Sequence, residues 1–107
     1  MKHAIGSYQK LKIDKKWRVI LLNHPYLVAL IGQHVYAIPD QCPHQDASLF
    51  QGTINGEVVT CPLHQAQFNL KSGEIDEVSK MLYFDFGPEK ITTRKAVIEG
   101  DQIYLEL

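Results

Sequence analysis

Thr53-Ile54-Asn55-Gly56-Glu57-Val58-Val59-Thr60 sets two short β-forming runs on either side of an Asn-Gly pair. Asn and Gly both accept the positive φ that a type I′ turn demands, so the stretch reads as a tight antiparallel hairpin about Asn55-Gly56. Outward from it lie two near-duplicate segments, Cys42-Pro43-His44 before and Cys61-Pro62-Leu63-His64 after, with sixteen residues between His44 and Cys61. A hairpin in the middle of that interval folds the segments back on each other and brings two thiols and two imidazoles to one locus. Each proline fixes φ beside its cysteine, which stiffens the loop as a preformed site requires.

Further out, short apolar or alternating runs closed by turn residues recur, and almost nothing sustains a helical period. Residues 17–22 and 26–31 flank Asn23-His24-Pro25 as a hairpin, and Gly32-Gln33 turns into 34–38, which makes a three-stranded meander. Residues 67–69, 82–86, 90–98 and 102–107 supply the remaining strands, and 8–12 offers no more than a helical turn. The chain is therefore expected to be all-β, a sandwich or barrel. At 107 residues it has the length of one domain with one core, so 1–107 is read as a single unit.

With 45% hydrophobic and 21% charged residues the composition is that of a folded globular chain, which excludes disordered and collagen-like classes. No apolar run approaches the roughly 20 residues of a membrane span. The N-terminus lacks the features of a secretory signal, so a cytoplasmic protein without a membrane partner is expected. In a reducing compartment two cysteines serve as metal ligands or catalytic thiols rather than as a disulfide. Residues 1–20 carry six basic side chains against Asp14, and 40–77 carries six acidic ones against Lys71. The basic stretch holds few aromatics and no recognition motif, so a solvated face, not a nucleic-acid site, is expected.

Four readings compete for Cys42, His44, Cys61 and His64. Two buried cysteines beside two hydrogen-bonded histidines would need the duplication of Cys-Pro and a following His to be coincidence. A Cys-His catalytic pair would leave the second pair without work. Two Cys and two His would close a tetrahedral zinc shell, although zinc loops space their ligands by two to four residues and Cys42-Pro43-His44 by one. A 2Fe-2S cluster with two cysteines on one iron and two histidines on the other fits that spacing better, because residues i and i+2 of an extended loop suit two adjacent metals.

The run Tyr36-Ala37-Ile38-Pro39-Asp40-Gln41-Cys42-Pro43-His44-Gln45-Asp46-Ala47-Ser48-Leu49, with Gly52, Gly56, Cys61-Pro62-Leu63-His64, Phe68 and Ser72-Gly73-Glu74, resembles a Rieske-type 2Fe-2S ferredoxin. The resemblance implies a β-sandwich base domain bearing a small cluster-binding subdomain of two ligand hairpins, at about residues 40–70. It implies one 2Fe-2S cluster as cofactor, with Cys42 and Cys61 on the inner iron and His44 and His64 on the outer iron through Nδ1. Rieske proteins of respiratory complexes add a disulfide and cluster-facing Ser and Tyr hydroxyls; the corresponding places here hold Leu63, Ala47, Ala66 and Phe68. That pattern is similar to the soluble, low-potential, oxygenase-associated kind, although Gln65 stands where a Gly commonly follows the second ligand His.

Such a protein is an electron carrier and not itself an enzyme, since the chain has no room for a flavin or oxygenase domain. The implied partners are a flavoprotein reductase and a terminal oxygenase, with no nucleic acid. Docking is expected at a tip formed by Gln45, Leu49, Leu63 and Gln65, steered by the acidic stretch from Asp40 to Glu77. The alternative is a Rieske-like small subunit of a multisubunit reductase such as nitrite reductase.

Overall fold

The structure, a computed structural model, describes residues 1–41, 48–62, 67–74 and 92–107. Its middle layer is an antiparallel meander of β2 (Lys16–Leu21), β3 (His24–Ile31) and β4 (His34–Pro39), with β3 in the centre. Tyr26, Leu27, Val28 and Ala29 of β3 are all buried, which is why this run is continuously apolar instead of alternating. The period-two rule still sorts them: Leu27 and Ala29 join Ile38, Leu49, Val59, Cys61, Phe68 and Leu70 in one core. Tyr26 and Val28 join Ala37, Leu11, Ile103 and Leu105 in a second core on the opposite face.

The second core is closed by a sheet in the order β1 (Lys2–Ser7), β9 (Gln102–Glu106), β8 (Lys95–Glu99), all antiparallel. Arg94 N–H donates to the Ala37 carbonyl at 2.8 Å and stitches this sheet to β4. Leu11 of the short helix α1 (Tyr8–Asp14) plugs the same core. Ser7 caps the helix by accepting from Lys10 N–H at 3.4 Å, while Asp101 holds Ser7 Oγ at 2.5 Å and Gln9 N–H at 3.0 Å. The chain ends meet on this sheet, where Leu107 N–H donates to the Met1 carbonyl and the N-terminal ammonium to the Leu107 carbonyl, each at 3.1 Å.

The first core is closed by β5 (Thr53–Asn55), β6 (Val58–Thr60) and β7 (Gln67–Asn69). Tyr36 of β4 reaches this sheet by donating its hydroxyl to Glu57 Oε2 at 3.1 Å. Burial pushes the Tyr36 phenol above its ordinary value, and the Glu57 carboxylate raises it further.

The all-β expectation and the meander are borne out, with differences of detail. The first turn is Leu22-Asn23, not Asn23-His24-Pro25: Leu21 pairs with His24, and both turn residues take positive φ, 53° and 66°. Pro25 is tolerated near the start of β3, where its carbonyl accepts Asp40 N–H at 3.0 Å. The strand expected over 90–98 is confined to Lys95–Glu99 among the described residues, and 82–86 lies outside them. Strand β1 was not foreseen, because its pairing shifts register between Ala4 and Gly6 and breaks the alternation. Among the described residues no helix is long and apolar enough to cross a membrane.

Gly6 sits at that shift with φ 151°, and a Cβ there would lie 2.7 Å from the Trp17 ring. Gly6→Ala is expected to cost about 1–3 kcal/mol in urea unfolding through overpacking and strain. Gly32→Ala, also at positive φ but with open space around it, is the control and should cost less.

Because the fold holds the Tyr36 phenol protonated, its contribution to stability is complete below pH 10.0 and is lost as pH climbs through the raised value. Ultraviolet difference titration should show one tyrosine ionising late, and Glu57→Gln should bring it earlier. An unchanged titration would rule out the contact with Glu57.

Candidate metal centre

The segment expected to carry the second pair of ligands, Cys61 and His64, leaves the β5–β6 hairpin. Thr53 pairs with Thr60, Ile54 with Val59 and Asn55 with Val58, so the turn residues are Gly56 and Glu57, one place later than expected. Gly56 has φ 62° and Glu57 is not in the left-handed region, as in turns that want Gly first. Leu70 N–H donates to the Glu57 carbonyl at 2.7 Å and ties the turn to the end of β7. Asn69 Oδ1 accepts from Lys71 N–H at 2.8 Å and Ser72 N–H at 3.0 Å, which closes the chain tightly beyond that strand.

Cys61 directly follows β6. It is fully buried among the side chains of the first core, so its backbone position is set by packing. Cys42, His44 and His64 lie outside the described residues. Among the described residues no three His, Cys, Asp or Glu side chains gather at one point.

The first ligand segment is described at both its ends. Asp40, on the entering side, has a fully buried carboxylate that accepts from Arg18 Nε at 2.8 Å. The same carboxylate accepts from Ser48 Oγ at 2.5 Å and Phe50 N–H at 2.6 Å, both on the leaving side. The leaving side continues as a 3-10 turn, Leu49–Gln51, that is gripped from β2. Lys16 Nζ donates to the carbonyls of Phe50 at 2.5 Å and Gly52 at 3.1 Å, and lies 4.9 Å from the Phe50 ring centroid. Gly52 then presses backbone to backbone against β6: a Cβ there would overlap the carbonyl oxygen of Thr60, the residue before Cys61. The stems of the two ligand segments therefore touch.

Three expectations change. The basic face is not merely solvated: Lys16 and Arg18 both reach across to the first ligand stem, Arg18 from an exposed position. Asp40 does not belong to an acidic steering surface, because its charge is buried and paired. Leu49 does not line an exposed tip, because it is fully buried in the first core. Phe68 is likewise a core side chain. The burial and bonding of Asp40 are not evident from the sequence, although an acidic residue two places before Cys42, and a Ser eight places after that residue, both stand there.

Residues 2–83 match the Rieske [2Fe-2S] domain family. The 3-phenylpropionate/cinnamic acid dioxygenase ferredoxin subunit of Shigella boydii serotype 4 (strain Sb227) is 33% identical over 100 residues, covering 92% of this chain and 81% of that protein. Ferredoxin CarAc of Metapseudomonas resinovorans is 43% identical over 49 residues, 46% of each chain. The ferredoxin of carbazole 1,9a-dioxygenase from Nocardioides aromaticivorans IC177 superposes with TM-score 0.82 at 21% identity, over 98% of this chain and 96% of that one. A chain in the complex of reduced oxygenase and oxidized ferredoxin in carbazole 1,9a-dioxygenase gives TM-score 0.82 at 23% identity, over 97% of this chain and 91% of that one. At those identities the solved structures establish the shared fold. The family match over most of the chain, joined by a relative similar along nearly its whole length, makes this protein a member of the Rieske [2Fe-2S] family, with a 2Fe-2S cluster as its cofactor.

Proposed function

We propose that the protein is a one-electron carrier that accepts electrons from a flavoprotein reductase and delivers them to a terminal oxygenase. The observation that carries this reading is the 33% identity, over 92% of the chain, to a ferredoxin subunit of a dioxygenase. We assign Cys42 and Cys61 to one iron and His44 and His64 to the other. Residues 1–107 are read as one domain whose cluster-binding part spans about 40–70, and the protein is placed in the cytoplasm, where thiol ligands stay reduced.

The described residues fit the cluster. Cys61 directly follows a strand and is fully buried in the first core, which fixes its place before any metal is bound; coordination would deprotonate its thiol. Contact between Gly52 and Thr60 brings the exit of the first ligand segment against the entry to the second, as a shared site demands. When bound, the cluster takes up and returns a single electron, at a potential raised by its imidazole ligands above that of an all-cysteine cluster. The protein's share is positional. Core packing fixes Cys61, the Asp40 carboxylate closes the first segment at its base, and Lys16 holds the 3-10 turn against β2.

The purified protein should be red-brown, with iron and acid-labile sulfide in the 2:2 ratio per chain of one cluster, and should give a Rieske-type EPR signal after dithionite reduction. His44→Ala and His64→Ala should each lose the cluster or hold a labile one. Colourless protein with tight zinc and no labile sulfide would end the reading.

Gly52→Ala drives a methyl group into the Thr60 carbonyl and must separate the two stems, so its iron and sulfide content should fall well below that of the wild type. Gly100→Ala, whose Cβ meets nothing within 4 Å, should keep its full complement. Equal cluster content in both variants would show that the stems need not touch.

A further inference from the structure

Asp40 is the buried polar or charged residue of the described structure, and its surroundings are specific. Three donors converge on one carboxylate: Arg18 Nε, Ser48 Oγ and Phe50 N–H. An ionised carboxylate is acceptor-only and satisfies all three, whereas an Asn would turn an NH₂ toward one of them. Two of the donors lie 8 and 10 residues further along the chain, so the carboxylate ties together the two ends of the segment that contains Cys42 and His44. The third donor belongs to β2 and anchors the knot to the middle sheet. Asp40 N–H is also spoken for by the Pro25 carbonyl at 3.0 Å, so the residue is held by β2, by β3 and by the far end of the loop.

The knot is close to the ligands by chain geometry alone. Asp40 stands only two residues before Cys42, so a short length of chain separates the knot from that assigned ligand. Its two charges differ in setting, since the Asp40 side chain is fully buried and the Arg18 side chain is 42% exposed. A buried charge is little screened by salt.

We propose that Asp40 is the positioning residue of the first ligand segment, and that its ion pair with Arg18 is a charge-balancing latch that both retains the cluster and biases its reduction potential. This rests on the assignment of Cys42 and His44 as ligands. The latch acts in two separable ways. Its hydrogen bonds to Ser48 and Phe50 keep the segment closed, so losing them lets the ligands open and iron escape. Its charges act at a distance: removing the carboxylate leaves the Arg18 cation to favour the reduced state, and removing the cation leaves the carboxylate to oppose it. A merely structural pair, by contrast, would have no reason to move the potential in opposite directions when one or the other half is removed.

The test uses the intact holoprotein and the variants Ser48→Ala, Asp40→Asn and Arg18→Gln, with iron and labile sulfide content, iron loss to excess chelator, voltammetric potential and thermal unfolding read in parallel. Ser48→Ala, which removes a single latch bond, should fold as the wild type does and lose iron at least threefold faster. Asp40→Asn should raise the potential and Arg18→Gln should lower it. If Asp40→Asn fails to fold, the Ser48→Ala release rate and the Arg18→Gln potential decide the matter in its place. Wild-type release from Ser48→Ala, or potentials that stay put or move together in the charge variants, would overturn the latch. A wild-type protein with no iron or labile sulfide would instead overturn the cluster assignment beneath it, so the two failures are distinct.

Discussion

The constraint on which everything else depends is that β3 is buried on both faces. A strand with one wet face can exchange its outer residues freely, but Tyr26, Leu27, Val28 and Ala29 each complete one of two separate cores. A change of register by one residue would exchange the residues that face the two cores, so the position of the strand is specified twice. Cys61 belongs to one of those cores and inherits that precision. A thiol placed by core packing needs little further ordering to take up the ligand role proposed for it, because the backbone around it is already fixed.

Around this apolar wall the polar groups do the opposite work, reaching out from the wall to catch a loop. Lys16 and Arg18 are two apart on β2 and therefore project from the same face of the strand. One takes hold of main-chain carbonyls and the other of a buried carboxylate, and both grips fall on the segment 40–52. A basic pair on the sheet thus meets the acidic and carbonyl groups of the ligand stem, and neither partner is left to face the apolar interior alone.

Much of this was legible in the sequence. The meander, the hairpin between the ligand segments and the paired Cys-Pro segments follow from periodicity, turn chemistry and spacing, all of which act over a few residues. What was not legible depends on residues far apart. Arg18 and Asp40 are 22 positions from each other, and charge counting alone assigns both to the surface. Leu49 stands next to a ligand loop and reads as an exposed tip, yet the core beneath the loop claims it. Strand β1 finds its partner at the other end of the chain, and a bulge at Gly6 hides its alternation. The turn positions differ by a residue because Leu22 adopts positive φ despite its bulk, and because Gly56, rather than Asn55, takes the first central place.

The reciprocal bonds between Met1 and Leu107 give this fold a nearly annular chain. Because β1 and β9 already lie side by side, a short peptide joining the two ends would span almost no distance and cost little loop entropy. Circular permutants opened at the exposed Gly32-Gln33 turn would then keep both cores and both ligand stems intact. A protein fused at Met1 or Leu107 would emerge beside the paired strands β1 and β9, which close the core on the face of the middle sheet opposite the Cys61 core.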